Sequence, residues 1–91
     1  MRSQLFAARA AALFVSDVPA GSRPSGAVVE AAIAGSIRAC GGTRGCVAEM
    51  AAAYGDCPET AAPRMRWARG VVQTVYGARR PEPEREMALA A

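Results

Sequence analysis

Residues 60–80 read TAAPRMRWARGVVQTVYGARR, and this stretch decides the expected fold. It holds the single tryptophan and five of the eleven arginines, and it has no acidic residue. Apolar residues recur along it every three or four positions, which is the spacing of one buried helix face. We therefore expect the longest helix here, as the main contributor to the core, with an arginine-bearing edge beside its apolar stripe.

Proline 63 constrains where this helix begins. A proline inside a helix removes a hydrogen bond and clashes with the preceding turn, at a cost of about 3 kcal/mol. If Thr60 is the N-cap, Pro63 falls in the first turn, where backbone N–H groups have no helical partner. The sequence favours this start at Thr60, and a one-turn helix from Pro58 followed by a kink is the alternative.

Three more helices are predicted upstream. Residues 4–15 are rich in alanine and contain neither glycine nor proline, which favours helix. Ser25 is a suitable N-cap for a second helix over 26–39, and Thr43 for a short third helix over 44–54. The third helix has one apolar face, at positions i, i+3, i+4 and i+7: Val47, Met50, Ala51 and Tyr54.

The expected architecture is all-α, a small bundle of about four helices in one domain of 91 residues. An N-terminal helix (1–15) is followed by a linker of turn-forming residues (16–24) and a helical core domain (25–80). The first helix either packs across that core or is exchanged with a second subunit. The tail (81–91) alternates proline with glutamate, a composition typical of disorder.

Charge and residue types limit the classes of function. The net charge is +3, but residues 60–80 carry +5 and the remainder therefore −2. A local basic block suits phosphate, an acidic protein surface or an anionic membrane face, and a solvated helix face is the alternative. The chain has no histidine and no lysine, so a cysteine nucleophile would lack a base, and we expect no enzyme.

The three cysteines (Cys40, Cys46, Cys57) match no common zinc spacing, and we expect no metal site and no cofactor. Cys40 and Cys46 could form a disulfide in an oxidising compartment, whereas three free thiols are the simpler interpretation. No apolar run approaches 20 residues, so we expect no membrane partner. The N-terminus fits a signal peptide poorly, and we expect a cytoplasmic location.

Ala51, Gly55 and Ala61 carry a resemblance to helix-turn-helix DNA-binding domains. The pattern of that family has a small residue, a glycine four positions on and an apolar residue six beyond that. The chain departs from it because Ala61 replaces the usual valine or isoleucine and because Pro63 interrupts the second helix. The resemblance implies a helix-turn-helix-like C-terminal pair whose second helix enters the major groove.

On this resemblance the candidate DNA-contacting residues are Arg64, Arg66 and Arg69, with Thr60 at the helix entry near the backbone. Trp67 has helical spacing and is interpreted as core rather than as a stacking platform for bases. The function then expected is that of a small DNA-binding or transcription-associated protein.

The alternative is a helical protein-interaction or dimerisation module that does not bind nucleic acid. Its thin, alanine-rich core would be completed by a partner, and its arginines would pair with carboxylates. A homodimer would form through Leu5, Phe6, Leu13 and Phe14 of the first helix. Separately, residues 88–91 resemble the end of the bacterial tmRNA degradation tag, which would imply a short-lived bacterial protein, although chance explains them in an alanine-rich chain.

Overall fold

A computed structural model describes residues 2–77, with side chains from Gln4 onward. This part of the chain contains four helices and no strand, which confirms the all-α prediction. The predicted tail over 81–91, the pair Arg79–Arg80 and the motif at 88–91 lie outside the described residues. The helices are α1 (Arg2–Phe14), α2 (Gly26–Cys40), α3 (Thr43–Asp56) and α4 (Pro58–Val72), and a π-helical turn (Gln73–Gly77) follows α4.

Helix α1 lies at the centre of the bundle. It contacts each of the other three helices, and residues 10–14 at its C-terminal end are all buried. Ala12 and Leu13 have no exposed surface. Alanine lets neighbouring helices approach closely, so the short side chains of α1 give it three contact faces. The first helix thus packs across the bundle within its own chain, and the core is not built from residues 25–80 alone.

The junction between α2 and α3 is made by two glycines. Gly41 has a φ of 77° and Gly42 a φ of 126°, a region that favours glycine. The Gly42 N–H donates to the carbonyl of Ile37 at 2.8 Å, which closes α2 in a Schellman-type end. Ser25 caps the start of α2 as predicted, since its hydroxyl accepts from the Val28 N–H at 3.3 Å. The prediction of Thr43 as the cap of α3 was wrong, because Gly42 occupies that position and Thr43 is already helical.

Helix α4 begins earlier than the favoured prediction. Only Cys57 separates α3 from α4, so Pro58 is the first helical residue and Thr60 the third. Proline is well suited to the first helical position, since its ring presets φ and its missing N–H has no partner there. The helix continues through Pro63, whose missing N–H leaves the carbonyl of exposed Glu59 to solvent. The N-cap prediction for Thr60 was therefore wrong. The helix starts at Pro58, as in the alternative, but it is one continuous helix through Pro63 rather than a separate single turn.

Candidate interaction surfaces

Arg64 reaches across the bundle to the C-terminal end of α1. Its Nε donates to the carbonyl of Phe14 at 2.6 Å, and its Nη2 donates to the carbonyl of Ser16 at 2.8 Å. The last carbonyls of a helix lack helical donors and carry the negative end of the helix dipole, so a guanidinium satisfies both needs. Burial lowers the pKa of Arg64. Arg64 thus serves as a capping group for α1 supplied from 50 residues away along the chain.

Trp67 holds the linker one helical turn further along α4. Its indole Nε1–H donates to the carbonyl of Ser22 at 2.9 Å, and its half-buried ring packs against the core. The guanidinium carbon of Arg64 lies 5.0 Å from the Trp67 ring centre, within the range of a cation–π contact. Arg64 and Trp67 together fix the path of residues 16–24, which the sequence predicted only as a linker.

The three candidate arginines of α4 do not share one surface. Arg64 points to the end of α1, whereas Arg66 is exposed beside the linker. The guanidinium carbon of Arg69 lies 5.5 Å from the centre of the Phe6 ring, on the other side of α4. Thr60 is exposed, and its hydroxyl donates to the carbonyl of Cys57 at 3.2 Å. The predicted DNA-contacting set is therefore divided among a helix cap and two separate surfaces.

One of these surfaces is a groove between α1, α3 and α4, which we call the α3 groove. It encloses about 580 Å³ and is almost entirely apolar. The apolar face of α3 forms one wall, and this face is not buried in the core as its spacing suggested. Val47 is 42% exposed and Tyr54 36% exposed, whereas the only buried residue of α3 is Cys46. The residues that line the groove include Phe6, Val47, Met50, Ala51, Tyr54 and Arg69.

The predicted dimer surface on α1 is divided by the same packing. Leu13 and Phe14 are buried within the chain, and the Phe14 ring stacks on Tyr54 with centroids 6.1 Å apart. These two residues are not accessible to a second subunit, so their assignment to a dimer surface was wrong. Leu5 is 51% exposed and Phe6 lines the α3 groove, and both remain available to a partner.

A second groove, the linker groove, lies between residues 21–24 and the C-terminal half of α4. It encloses about 610 Å³. Its apolar wall is made by Trp67, Val71 and Val75, which are half-buried. Arg23 and Arg66 line it and are exposed, and none of its lining residues in the described part of the chain is a carboxylate.

The three cysteines are free thiols in different environments. Cys46 is fully buried and donates its S–H to the carbonyl of Ser36 at 3.5 Å. Burial, and to a smaller extent the neighbouring Cys40 and Glu49, raise the pKa of Cys46 to about 11. The exposed Cys57 donates to a carboxylate oxygen of Glu59 at 3.4 Å. Within residues 2–77 no group of His, Cys, Asp and Glu side chains is arranged to hold a metal ion.

Comparisons with known proteins supply no family for this chain. No protein-family model matches it, and no curated protein and no solved structure is detectably similar. None of the helices in the described range is long and apolar enough to span a bilayer. The function must therefore be argued from the surfaces themselves.

Proposed function

We propose that this chain is a helical protein-interaction module that binds an amphipathic helix of an acidic partner in the α3 groove. The observation that carries the proposal is the exposed apolar face of α3. Its residues follow the helical spacing of a buried stripe, yet the bundle leaves 42% of Val47 and 36% of Tyr54 exposed to solvent. A contiguous exposed apolar surface costs solvation free energy unless a partner covers it.

The charge of the groove indicates the chemistry of the partner. Among the described residues that line the α3 groove, Arg69 is the one that carries a charge. Among the described residues no ion pair joins Arg69 to a carboxylate, and its guanidinium lies over the Phe6 ring. A helix bound in an apolar groove contacts it with the residues at positions i, i+3, i+4 and i+7. A glutamate or aspartate flanking such a stripe would pair with Arg69.

A second copy of the chain fits this groove less well. A twofold contact through the same surface would bring two Arg69 side chains into one interface. Within residues 2–77 no carboxylate lines the groove to offset them, and unpaired charges that lose solvent on association are costly. An acidic helix from another protein supplies the missing countercharge.

DNA binding has less support from the geometry. A recognition helix needs several basic side chains on one exposed face, and α4 divides its arginines between a helix cap and two grooves. Of the three arginines in the predicted set, Arg66 is the exposed one with no contact to the end of α1 or to Phe6. DNA binding is therefore the competing outcome of the binding test.

The test measures binding of labelled ligands to the full chain by fluorescence anisotropy. The first ligand is an amphipathic peptide of about 15 residues, long enough to form helix, with leucines at i, i+3, i+4 and i+7 and flanking glutamates. The second replaces every glutamate with lysine, and the third is random duplex DNA at about 50 mM salt. We expect binding of the glutamate peptide and little binding of the other two.

Two substitutions test whether the glutamate peptide binds in the α3 groove. Val47→Asp introduces a charge into the apolar wall, and Arg69→Glu reverses the charge at the edge. Each should weaken binding of the glutamate peptide by about tenfold, which corresponds to about 1.4 kcal/mol. Arg66→Glu is the matched control on the same helix and should leave peptide affinity unchanged.

Two outcomes would overturn the proposal. One is equal binding of the glutamate and lysine peptides, or binding that survives Val47→Asp, since the groove would then not select its ligand. The other is tight, salt-sensitive binding of duplex DNA that is lost in the Arg66→Glu variant. That result would restore the DNA-binding hypothesis, because phosphate contacts make affinity fall steeply with salt.

A further inference from the structure

The two ends of the α3 groove differ, and the contacts of α1 define them. At the first, which we call the Tyr54 end, the Phe14 ring stacks on Tyr54 and the Arg64 Nε donates to the Phe14 carbonyl. At the second, the Arg69 end, the guanidinium of Arg69 lies over the Phe6 ring. Helix α4 therefore runs antiparallel to α1 along the groove.

The α3 groove is about as long as two turns of helix. Its lining residues on α3 extend from Val47 to Tyr54, a rise of about 10 Å at about 1.5 Å per residue. Positions i and i+7 of a partner helix are separated by the same rise, so the apolar stripe of the partner covers the full length of the groove. A carboxylate that flanks the stripe then reaches Arg69 from one end of the stripe only.

The Arg69 end of the groove is positive. Arg69 is exposed there, and α1 and α3 begin on this side, with N-terminal turns that carry partial positive charge. Helix α4 ends here, and its opposite dipole reduces this field without removing the charge of Arg69. Glu49 of α3 lines a different cavity. Aspartate and glutamate are absent from the first residues of α1 and α3 and the last of α4 (2–8, 43–48 and 66–72).

The Tyr54 end is negative. Helices α1 and α3 both end there, and the C-terminal turn of a helix carries partial negative charge. Asp56 is the last residue of α3, and Glu59 lies in the first turn of α4, where it offsets the positive end of that helix. Both side chains are exposed. The positive charge of Arg64 is directed at the carbonyls that end α1 and offsets that helix end.

We infer that the partner helix lies in the α3 groove in one direction, antiparallel to α1, with its C-terminal turn and an acidic residue at the Arg69 end. The inference rests on the proposed function and specifies the partner further: its apolar stripe is followed, not preceded, by glutamate or aspartate. In this direction the negative C-terminal end of the partner helix faces Arg69, and its positive N-terminal end faces Asp56 and Glu59. The reverse direction places like charges together at both ends.

The first measurement compares two peptides of equal composition by fluorescence anisotropy with the full chain. Each has about 15 residues and the same leucine stripe, and the glutamates follow the stripe in one peptide and precede it in the other. Glutamate near the N-terminus also stabilises the helix of the free peptide, so the affinities alone do not report direction. The ratio of the affinities for the original chain and for Arg69→Gln cancels this contribution.

Arg69→Gln should weaken binding of the peptide with C-terminal glutamates by about fivefold, the effect of one exposed ion pair. It should weaken binding of the other peptide by less than about twofold. Arg66→Gln is the matched control, because it removes the same charge from the same helix outside the groove. It should change neither affinity. Equal losses for the two peptides in Arg69→Gln would overturn the inference.

A nitroxide label at one end of the bound peptide reports the direction itself, through broadening of backbone amide resonances. A label at the peptide N-terminus should broaden Tyr54 most, and a label at the C-terminus should broaden Phe6 most. The opposite pattern, or equal broadening from both labels, would overturn the direction and leave the α3 groove as the binding site. Binding of neither peptide, or binding that survives Val47→Asp, would overturn the proposed function and this inference with it.

Discussion

Helices α1 and α3 have 13 and 14 residues and both are rich in alanine, yet they differ in how far the bundle buries them. Five consecutive residues of α1 are buried, whereas α3 has one buried residue, Cys46. The difference arises from position, because α1 is packed on three sides and α3 forms one wall of an open groove. In a chain with so many small side chains, the neighbours of a helix decide its burial more than its own pattern does.

The largest effect expected from this comparison is at Leu13 of α1. Leu13→Ala removes a fully buried side chain and should lower the free energy of unfolding by about 3 kcal/mol, because the core loses apolar contacts and gains a cavity. The matched control is Leu5→Ala on the same helix, where the side chain is 51% exposed. Urea unfolding of both variants measures the difference, and similar losses would contradict the central position of α1.

The next largest effect is at Gly45, where α3 does come close to α2. A Cβ at this position would collide with the carbonyl oxygen of Cys40 and lie 2.9 Å from its carbonyl carbon. Gly45→Ala should therefore destabilise the fold by about 2 kcal/mol, although alanine favours helix more than glycine does.

Gly35→Ala is the control for Gly45→Ala, since a Cβ there meets no atom within 4 Å. It lies inside α2, so it should raise stability by about 0.5 kcal/mol through helix propensity alone. Thermal unfolding distinguishes the two variants by the opposite signs of their shifts. A stabilising Gly45→Ala would mean that the two helices do not approach closely at this junction.

Arg64 tests how α1 is held in its central position. Arg64→Met keeps much of the side-chain length but removes both donors to the carbonyls of Phe14 and Ser16. Because hydrogen bonds from a charged group to a helix end are lost, we expect the free energy of unfolding to fall by about 1.5 kcal/mol. Arg66→Met, two residues away and exposed, should change stability by less than about 0.5 kcal/mol. Equal effects of the two substitutions would show that the cap contributes nothing.

The sequence predicted the helices more completely than it predicted their arrangement. The glycines after α2 and the proline at the start of α4 are local signals, so the approximate bounds of these helices could be derived from them. The partners of Arg64 and Trp67 are α1 and the linker, 45 to 50 residues away. No local pattern encodes such a contact, so the sequence could not predict that Arg64 caps the end of α1.

The apolar stripe of α3 is a second feature whose surroundings the local sequence could not predict. Its spacing is that of a core-facing helix, and the pattern alone cannot say whether another helix of the same chain covers it. The exposure of Val47 and Tyr54, which defines the candidate site on α3, depends on how the other helices pack.

Cys46 gives a smaller effect that depends on pH. Its pKa is raised by burial from 9.0 to about 11, so the folded state keeps a proton that the unfolded state releases above about pH 9. The stability contributed by the protonated thiol is fully present below that pH and should fall as the pH rises through about 11. Urea unfolding at several pH values should show this fall in the original chain and in Cys57→Ala. The same slope in Cys46→Ala would contradict the assignment.

Val47 of α3 should show the smallest effect on stability and provides the counterpart to Leu13. Val47→Ser exchanges an apolar side chain that is already 42% exposed, so the free energy of unfolding should change by less than about 0.5 kcal/mol. The same substitution removes apolar surface from the wall of the α3 groove, and it should weaken binding of the glutamate peptide severalfold. Urea unfolding and peptide anisotropy on one preparation measure both quantities. Substitution of a core residue lowers stability, whereas substitution of a binding-surface residue lowers affinity. If Val47→Ser destabilises the fold as strongly as Leu13→Ala, the apolar face of α3 belongs to the core. The α3 groove would then not be a site for a partner.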